Sequence, residues 1–204
     1  LNALVAYDAL QYQVHLHAIG DAAVKQALDA LEAMQSINPT WDRRPVIVHA
    51  QLIRDEDLPR FAQLGVIANI QPLWCYLDPM NKELIAPRIG NERNDQQYRL
   101  RSMLKAGAKI AFGSDWPVTS HVPMQAISVP VTRSNPADGI TQPWIIEEAL
   151  TMDESLTFYT KNVSYQLFRE HEFGTLEVGM RAAFLIMDSD PAQNPAAKIV
   201  ELVS

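Results

Sequence analysis

Three short apolar runs, each stopping at a side chain able to bind a metal, constrain this chain more than anything else in it. VHLHAIGD (residues 14–21) carries His17, VIVHAQ (residues 46–51) carries His49, and IAFGSDWPV (residues 110–118) carries Asp115. Each is strand length, and each leads into a polar or glycine-containing turn. Ligands at the carboxyl ends of successive parallel strands converge on one face of an α/β barrel. Two imidazoles and a carboxylate suit a borderline divalent ion, zinc first among them. A single histidine at a strand end is usually a buried, hydrogen-bonded residue. Two such histidines plus a strand-end aspartate favour a metal site.

The segments between these runs alternate in period. Residues 1–10 read as a helix and 13–17 as a strand. Residues 21–34 carry an apolar stripe, with Ala23, Ala27, Ala30 and Leu31 at helical spacing. Residues 45–49 are a strand, 55–64 a helix closed by Gly65 at C′, and 66–71 a third strand. Residues 72–95 are rich in proline and charge and read as one long functional loop. Residues 97–106 are a helix ended by Gly107, and 109–113 a fourth strand. Beyond Asp115 a helix is predicted over 124–133, a loop over 134–143, a helix opened by a capping box at Thr151 and Glu154, and a further helix over 162–171. The stretch 174–188 reads as a turn and a strand. Strands alternating with helices predict a parallel sheet. Four strand–helix units are half of an eight-unit barrel, which typically takes ~250 residues.

Side chains two apart share a strand face. If His17 points into the barrel, so do His15 and Gln13, and Ala111 and Gly113 lie beneath Asp115. Ile47 is also expected on the inward face. The strands that carry His17 and Phe112 are expected to be open edges, which invite pairing with another chain.

Composition narrows the function. With 17 Lys and Arg against 24 Asp and Glu, the net charge of −7 excludes a nucleic-acid footprint. No apolar run approaches the ~18 residues of a membrane span. One cysteine, Cys75, rules out an internal disulfide framework and a multi-cysteine zinc site. A cytoplasmic location is the expectation. The chain opens on Leu1 without a charged-then-apolar leader, so upstream sequence is expected to be missing.

Four stretches carry a family resemblance. HAIGDAAV, the HAQLI and LGVIANIQP pair, YRLRSMLKAGAKIAFGSDWPV and the terminal GTLEVGMRAAFLIMD together resemble the YtcJ-like branch (amidohydrolase family 3) of the metal-dependent amidohydrolases. That resemblance implies a (β/α)8 TIM barrel with a small β-sandwich made from both chain ends. On this likeness the four strands are strands 5–8. Residues 1–172 are then the carboxyl half of the barrel, and 173–204 a sandwich segment. The likeness implies His17, His49 and Asp115 as metal ligands, with Asp115 also taking a proton from the hydrolytic water. It implies zinc, a small amide-like substrate, and hydrolysis of a non-peptide C–N bond in an amide, formamide or cyclic amide. The family's first-strand His-x-His pair and its fourth-strand bridging residue have no counterpart here. Val14-His15-Leu16-His17 imitates that pair, but the AIGDAAV that follows belongs to the fifth strand.

Weaker candidates surround these. Gln71, Trp74, Arg93 and Arg133 are candidate substrate contacts, weighed against turn packing and structural ion pairs. Asp21 reads as a helix-capping residue, His121 as a surface histidine, and Cys75 as a thiol without a catalytic partner. Two rival readings stand beside the hydrolase. One is a catalytically incomplete fragment or remnant with an interaction role, seen with its missing amino-terminal half or as a homodimer. The other is a mononuclear iron enzyme with a two-histidine-one-carboxylate triad, which the helices oppose.

Overall fold

A computed structural model describes residues 1–191, 193–194 and 199–203. The remaining positions of the predicted 173–204 segment lie outside the described residues. The chain divides into two compact units. The first comprises Leu1–Ile70 and Glu83–Ile110, the second Gln71–Lys82 and Ala111–Ser204.

The first unit is α/β with a parallel sheet, as the alternating periods require. Its elements are α1 (Asn2–Ala9), β1 (His15–Ala18), α2 (Asp21–Ile37), β2 (Val46–His49), α3 (Leu58–Gln63), β3 (Ile67–Ile70), α4 (Ala86–Ile89), α5 (Asn91–Asn94) and α6 (Leu100–Lys105). β4 (Lys109–Phe112) begins in this unit, and the sheet order is β1-β2-β3-β4, with β1 and β4 outermost. β1 pairs parallel with β2, and β2 with β3. Leu28, Leu31 and Met34 of α2, Phe61 of α3, and Leu100 and Met103 of α6 are fully buried with Ile47, Ile67 and Ile70 of the strands. Gly65 and Gly107 end their helices at φ +63° and +83°, the left-handed conformation that closes a helix without a Cβ penalty.

Register corrects one expectation about faces. His17 lies beside Val48, and Leu16 beside Ile47. Ile47 therefore shares a face with Leu16, opposite to His17, and is completely buried there. The expected inward position of Ile47 beside His17 is therefore not the observed one, since the parallel register matches Ile47 with Leu16.

The predicted loop over 72–95 is mostly helical. It holds a 3₁₀ turn (Pro72–Trp74), a π-helical turn (Asn81–Ile85), α4 and α5. Prolines there sit in first turns, where the missing N–H costs nothing. Read as a composition, the same prolines looked like loop.

The second unit is helical with a small ribbon. α7 (Pro123–Ile127), α8 (Val129–Thr132), α9 (Met152–Tyr159) and α10 (Lys161–Gln166) precede β5 (Phe184–Met187) and β6 (Ile199–Val203), which pair antiparallel. The helix predicted over 124–133 is two helices, since Pro130 has no N–H to continue the first. The helix predicted over 162–171 stops at Gln166, with Phe168 at φ +57°. Phe112 meets the Phe158 ring edge-on at 5.4 Å, and Ser155 Oγ donates to the Ile127 carbonyl at 2.7 Å. Among the described residues no helix is long and apolar enough to cross a membrane.

The capping box forms as read: the Glu154 amide donates to Thr151 Oγ1 at 3.2 Å and the Thr151 amide to Glu154 Oε2 at 2.7 Å. Thr151→Ala lowers unfolding stability by about 1 kcal/mol, measured by urea denaturation.

Asp8 anchors α1 to the segment before β2. Its buried carboxylate accepts from Arg43 Nε at 2.7 Å, Asn38 Nδ2 at 2.8 Å and Trp41 Nε1 at 2.9 Å. Burial works against the charge, but these donors outweigh it and hold the carboxyl below the usual aspartate range. The unfolded chain therefore binds this proton more readily than the folded one. The stabilisation is complete above about pH 4 and is lost as pH falls through the depressed folded value. Asp8→Asn leaves Arg43 without its charge partner and costs about 3 kcal/mol at pH 7. Urea midpoints across pH 2–7 show the gap from the native chain narrowing below about pH 4.

Candidate metal centre

His17 and His49 come together at the carboxyl ends of adjacent parallel strands. His49 Nε2 lies 3.0 Å from His17 Nδ1, with ring centroids 4.5 Å apart and planes at 76°. The pleat alone does not do this. His49 is in register with Ala18, one residue out of phase with His17. Backbone at φ +76° for His49 and +41° for Ala50 breaks the alternation at the strand end, and the His49 ring meets that of His17. Left-handed backbone is costly for residues with a Cβ, and such outliers gather at functional sites.

The pair fits a metal. At 3.0 Å the two ring nitrogens share a hydrogen bond; an ion taking the place of that proton would hold them roughly 3.4 Å apart, from two 2.0–2.1 Å bonds at a tetrahedral angle. Imidazole nitrogens are borderline donors, suited to zinc and its neighbours. His49 is buried at 5% exposure, while His17 is exposed on its sheet face with His15.

Asp115 belongs to the second unit. It is exposed and also has left-handed backbone, φ +53°, three residues beyond the end of β4. Among the described residues no group of three or more His, Cys, Asp and Glu side chains is gathered closely enough to hold an ion. The structure thus unites the two histidines within the first unit.

The four substrate candidates have varied fates. Arg93 Nη2 donates to Asp21 Oδ1 at 2.9 Å. Asp21 opens α2, where the Ala22 amide also reaches it at 3.0 Å. Partial burial opposes its charge, yet the amide and the Arg93 and Arg54 guanidiniums keep the carboxyl below its usual range. Arg133 is wholly buried, its Nε donating to the Trp144 carbonyl at 2.9 Å and its guanidinium lying 5.7 Å from the Trp144 ring centroid. Gln71 is buried, and its carbonyl accepts from the Trp74 amide at 3.1 Å. Trp74 is half-buried, with Nε1 3.3 Å from Thr119 Oγ1. His121 is exposed, as expected.

A buried amide string escaped the sequence reading. Gln51 Nε2 donates to Gln97 Oε1, and Gln97 Nε2 to Asn94 Oδ1 at 2.8 Å. The Tyr98 amide reaches the Gln51 carbonyl at 2.8 Å, and Leu52 bridges Gln97. These contacts tie the turn after His49 to α5 and the residues following it. Only the run Asn94…Gln97 hinted at this, and nothing in the sequence pairs it with Gln51.

Residues 2–204 match the sequence profile described as "Amidohydrolase family". This chain belongs to that family. Among its relatives, the Arabidopsis thaliana protein LONG AFTER FAR-RED 3 is 33% identical over 93% of this chain and 32% of its own length. The N-substituted formamide deformylase of Arthrobacter pascens is 30% identical over 97% of this chain and 35% of its own length. Among solved structures, an uncharacterized metal-dependent hydrolase from Pyrococcus furiosus superposes with a TM-score of 0.74 at 32% identity, covering 94% of this chain and 37% of that one. This amidohydrolase-family chain therefore spans about a third of the length of the curated relatives it matches.

Cys75 takes no part in chemistry. It is fully buried, and burial pushes its thiol up to about 12, against the opposing pull of Arg133. In native protein at pH 8 an aromatic disulfide reagent leaves it unmodified, and one thiol per chain reacts once the protein is denatured in urea. Prompt native labelling would contradict this placement.

Proposed function

We propose that this chain is the carboxyl half of a metal-dependent hydrolase that opens a non-peptide C–N bond in an amide, formamide or cyclic amide. The observation that carries the reading is the His17–His49 pair, two facing imidazole nitrogens 3.0 Å apart at adjacent parallel strand ends. In this reading residues 1–172 form strands five to eight of a (β/α)8 barrel, and 173–204 contribute to a small sandwich. The completing half is supplied by an amino-terminal segment or, in a shorter product, by a second copy. The exposed face bearing His15 and His17 supports a missing opposite wall. The formamide deformylase among the relatives supports an N-substituted formamide as the first substrate class to try. The single buried cysteine suits a reducing cytoplasm.

His17 and His49 would hold a divalent ion, zinc by preference, with Asp115 as the third ligand in the completed barrel. When bound, such an ion supplies a Lewis acid and a water acidified from 15.7 towards about 7. An Asp115 carboxylate oxygen accepts the proton of the hydrolytic water and delivers it to the leaving nitrogen, so one group serves as base and then as acid. The 204-residue chain alone lacks the first-strand pair, so it binds metal weakly and turns nothing over. The same half-chain as a partner-binding remnant is the second reading.

Cobalt(II) titration of the purified chain tests the pair. A visible absorption band saturates at one ion per chain, and His17→Ala or His49→Ala abolishes it. In a barrel completed with the amino-terminal half of a relative, Asp115→Asn lowers formamide hydrolysis by at least about 10²-fold with the far-UV spectrum unchanged. No cobalt band, or full turnover in Asp115→Asn, rejects the assignment.

A further inference from the structure

The turn after Asp115 is braced from within and bare outside. Thr119 Oγ1 donates to the Ser114 carbonyl at 2.6 Å, and the Val118 amide to the Asp115 carbonyl at 2.8 Å. The Trp116 amide reaches Ser114 Oγ at 3.2 Å, and Trp74 Nε1 lies 3.3 Å from Thr119 Oγ1. These bonds hold residues 114–119 in one shape. That shape leaves Trp116 67% and Val118 68% exposed. The His121 ring stands edge-on to the indole, 6.3 Å between centroids at 85°. Most of the apolar area of both side chains thus faces solvent.

Chain position says what this bare surface is for. The Cα of Trp116 is about 3.8 Å from that of Asp115. If Asp115 hands a proton to the leaving nitrogen, that nitrogen departs on the Asp115 side. Whatever the nitrogen carries then lies within reach of the next residues of the turn. We propose that Trp116 and Val118 form the specificity wall for an apolar, preferably aromatic, substituent on the leaving nitrogen, with His121 backing the indole. The wall rests on the reading of Asp115 as the proton-transferring carboxylate. An indole face takes a ring by offset or edge-on stacking, and a small N-alkyl group gains little from it. The substrate class narrows accordingly to N-aryl and N-arylalkyl amides. Among candidate occupants, a ligand is favoured over a second copy, because the wall is two side chains on one short turn.

The test is a ligand-observed NMR titration of the 204-residue chain with formanilide and with N-methylformamide, two formamides that differ in the nitrogen substituent. The native chain prefers formanilide by on the order of tenfold, a discrimination usual for an apolar pocket. Trp116→Ala brings the ratio close to one, and Val118→Ala reduces it by less. Both positions are exposed, and matching thermal melts show that the fold is kept. Equal affinity for the two amides in the native chain, or an unchanged ratio in Trp116→Ala, overturns the wall. So does a dimer, seen by light scattering, that dissociates in Trp116→Ala, since the occupant is then a second copy. Cobalt titration of the same variants separates the two proposals. In Trp116→Ala, loss of an aryl preference that the native chain shows, with cobalt uptake intact, is the wall's own signature. In the native chain, failed cobalt uptake with the preference present defeats the metal reading alone, and absent preference with normal uptake defeats the wall alone.

Discussion

The pairing of β1 with β2 is the constraint from which the rest follows. Parallel strands hydrogen-bonded at His17↔Val48 bring two strand ends level, and the left-handed backbone at His49 then turns a second imidazole onto the first. A one-residue slip would move His17 to the other face of the sheet. Burial guards against that slip. Ile47 and Ala68, on the face away from His17, are inaccessible to solvent. The core that fixes the register is therefore what sets the distance between the two histidines.

Much of the fold was legible because its signals are local. Gly65 and Gly107 marked helix ends, and Thr151 with Glu154 marked a helix start, each through chemistry confined to a few consecutive residues. The prolines of 72–95 were misread for the complementary reason. Proline forbids a helix interior yet favours a first turn, so its meaning depends on where the helix begins. Ile47 faces away from His17 because the register between neighbouring strands, which pairs it with Leu16, is a long-range property that neither strand's own sequence states.

Side-chain function was less legible than the fold, since it depends on which partners a group finds. Arg93 and Arg133 are alike in sequence as free cations. In the folded protein Arg93 meets Asp21 across 72 residues of chain, and Arg133 is enclosed against a backbone carbonyl and an indole. The amide string Gln51, Gln97 and Asn94 spans 46 residues at its longest link, and no local pattern announces it. His17 and His49 were found because both end strands, a local property; their contact is the long-range consequence.

The ribbon of β5 and β6 has a different kind of importance. Leu185, Ile186, Ile199, Val200 and Leu202 all stand at 39% exposure or more, on a sheet that has two strands among the described residues. A lone two-stranded ribbon is marginal in water, and its free edges are templates for further strands. Colloidal behaviour is accordingly decided in the ribbon and not by the histidines. Handling of this polypeptide in vitro is governed by how sparingly those few apolar side chains meet one another, and dilution, low salt and the net negative charge all work in its favour.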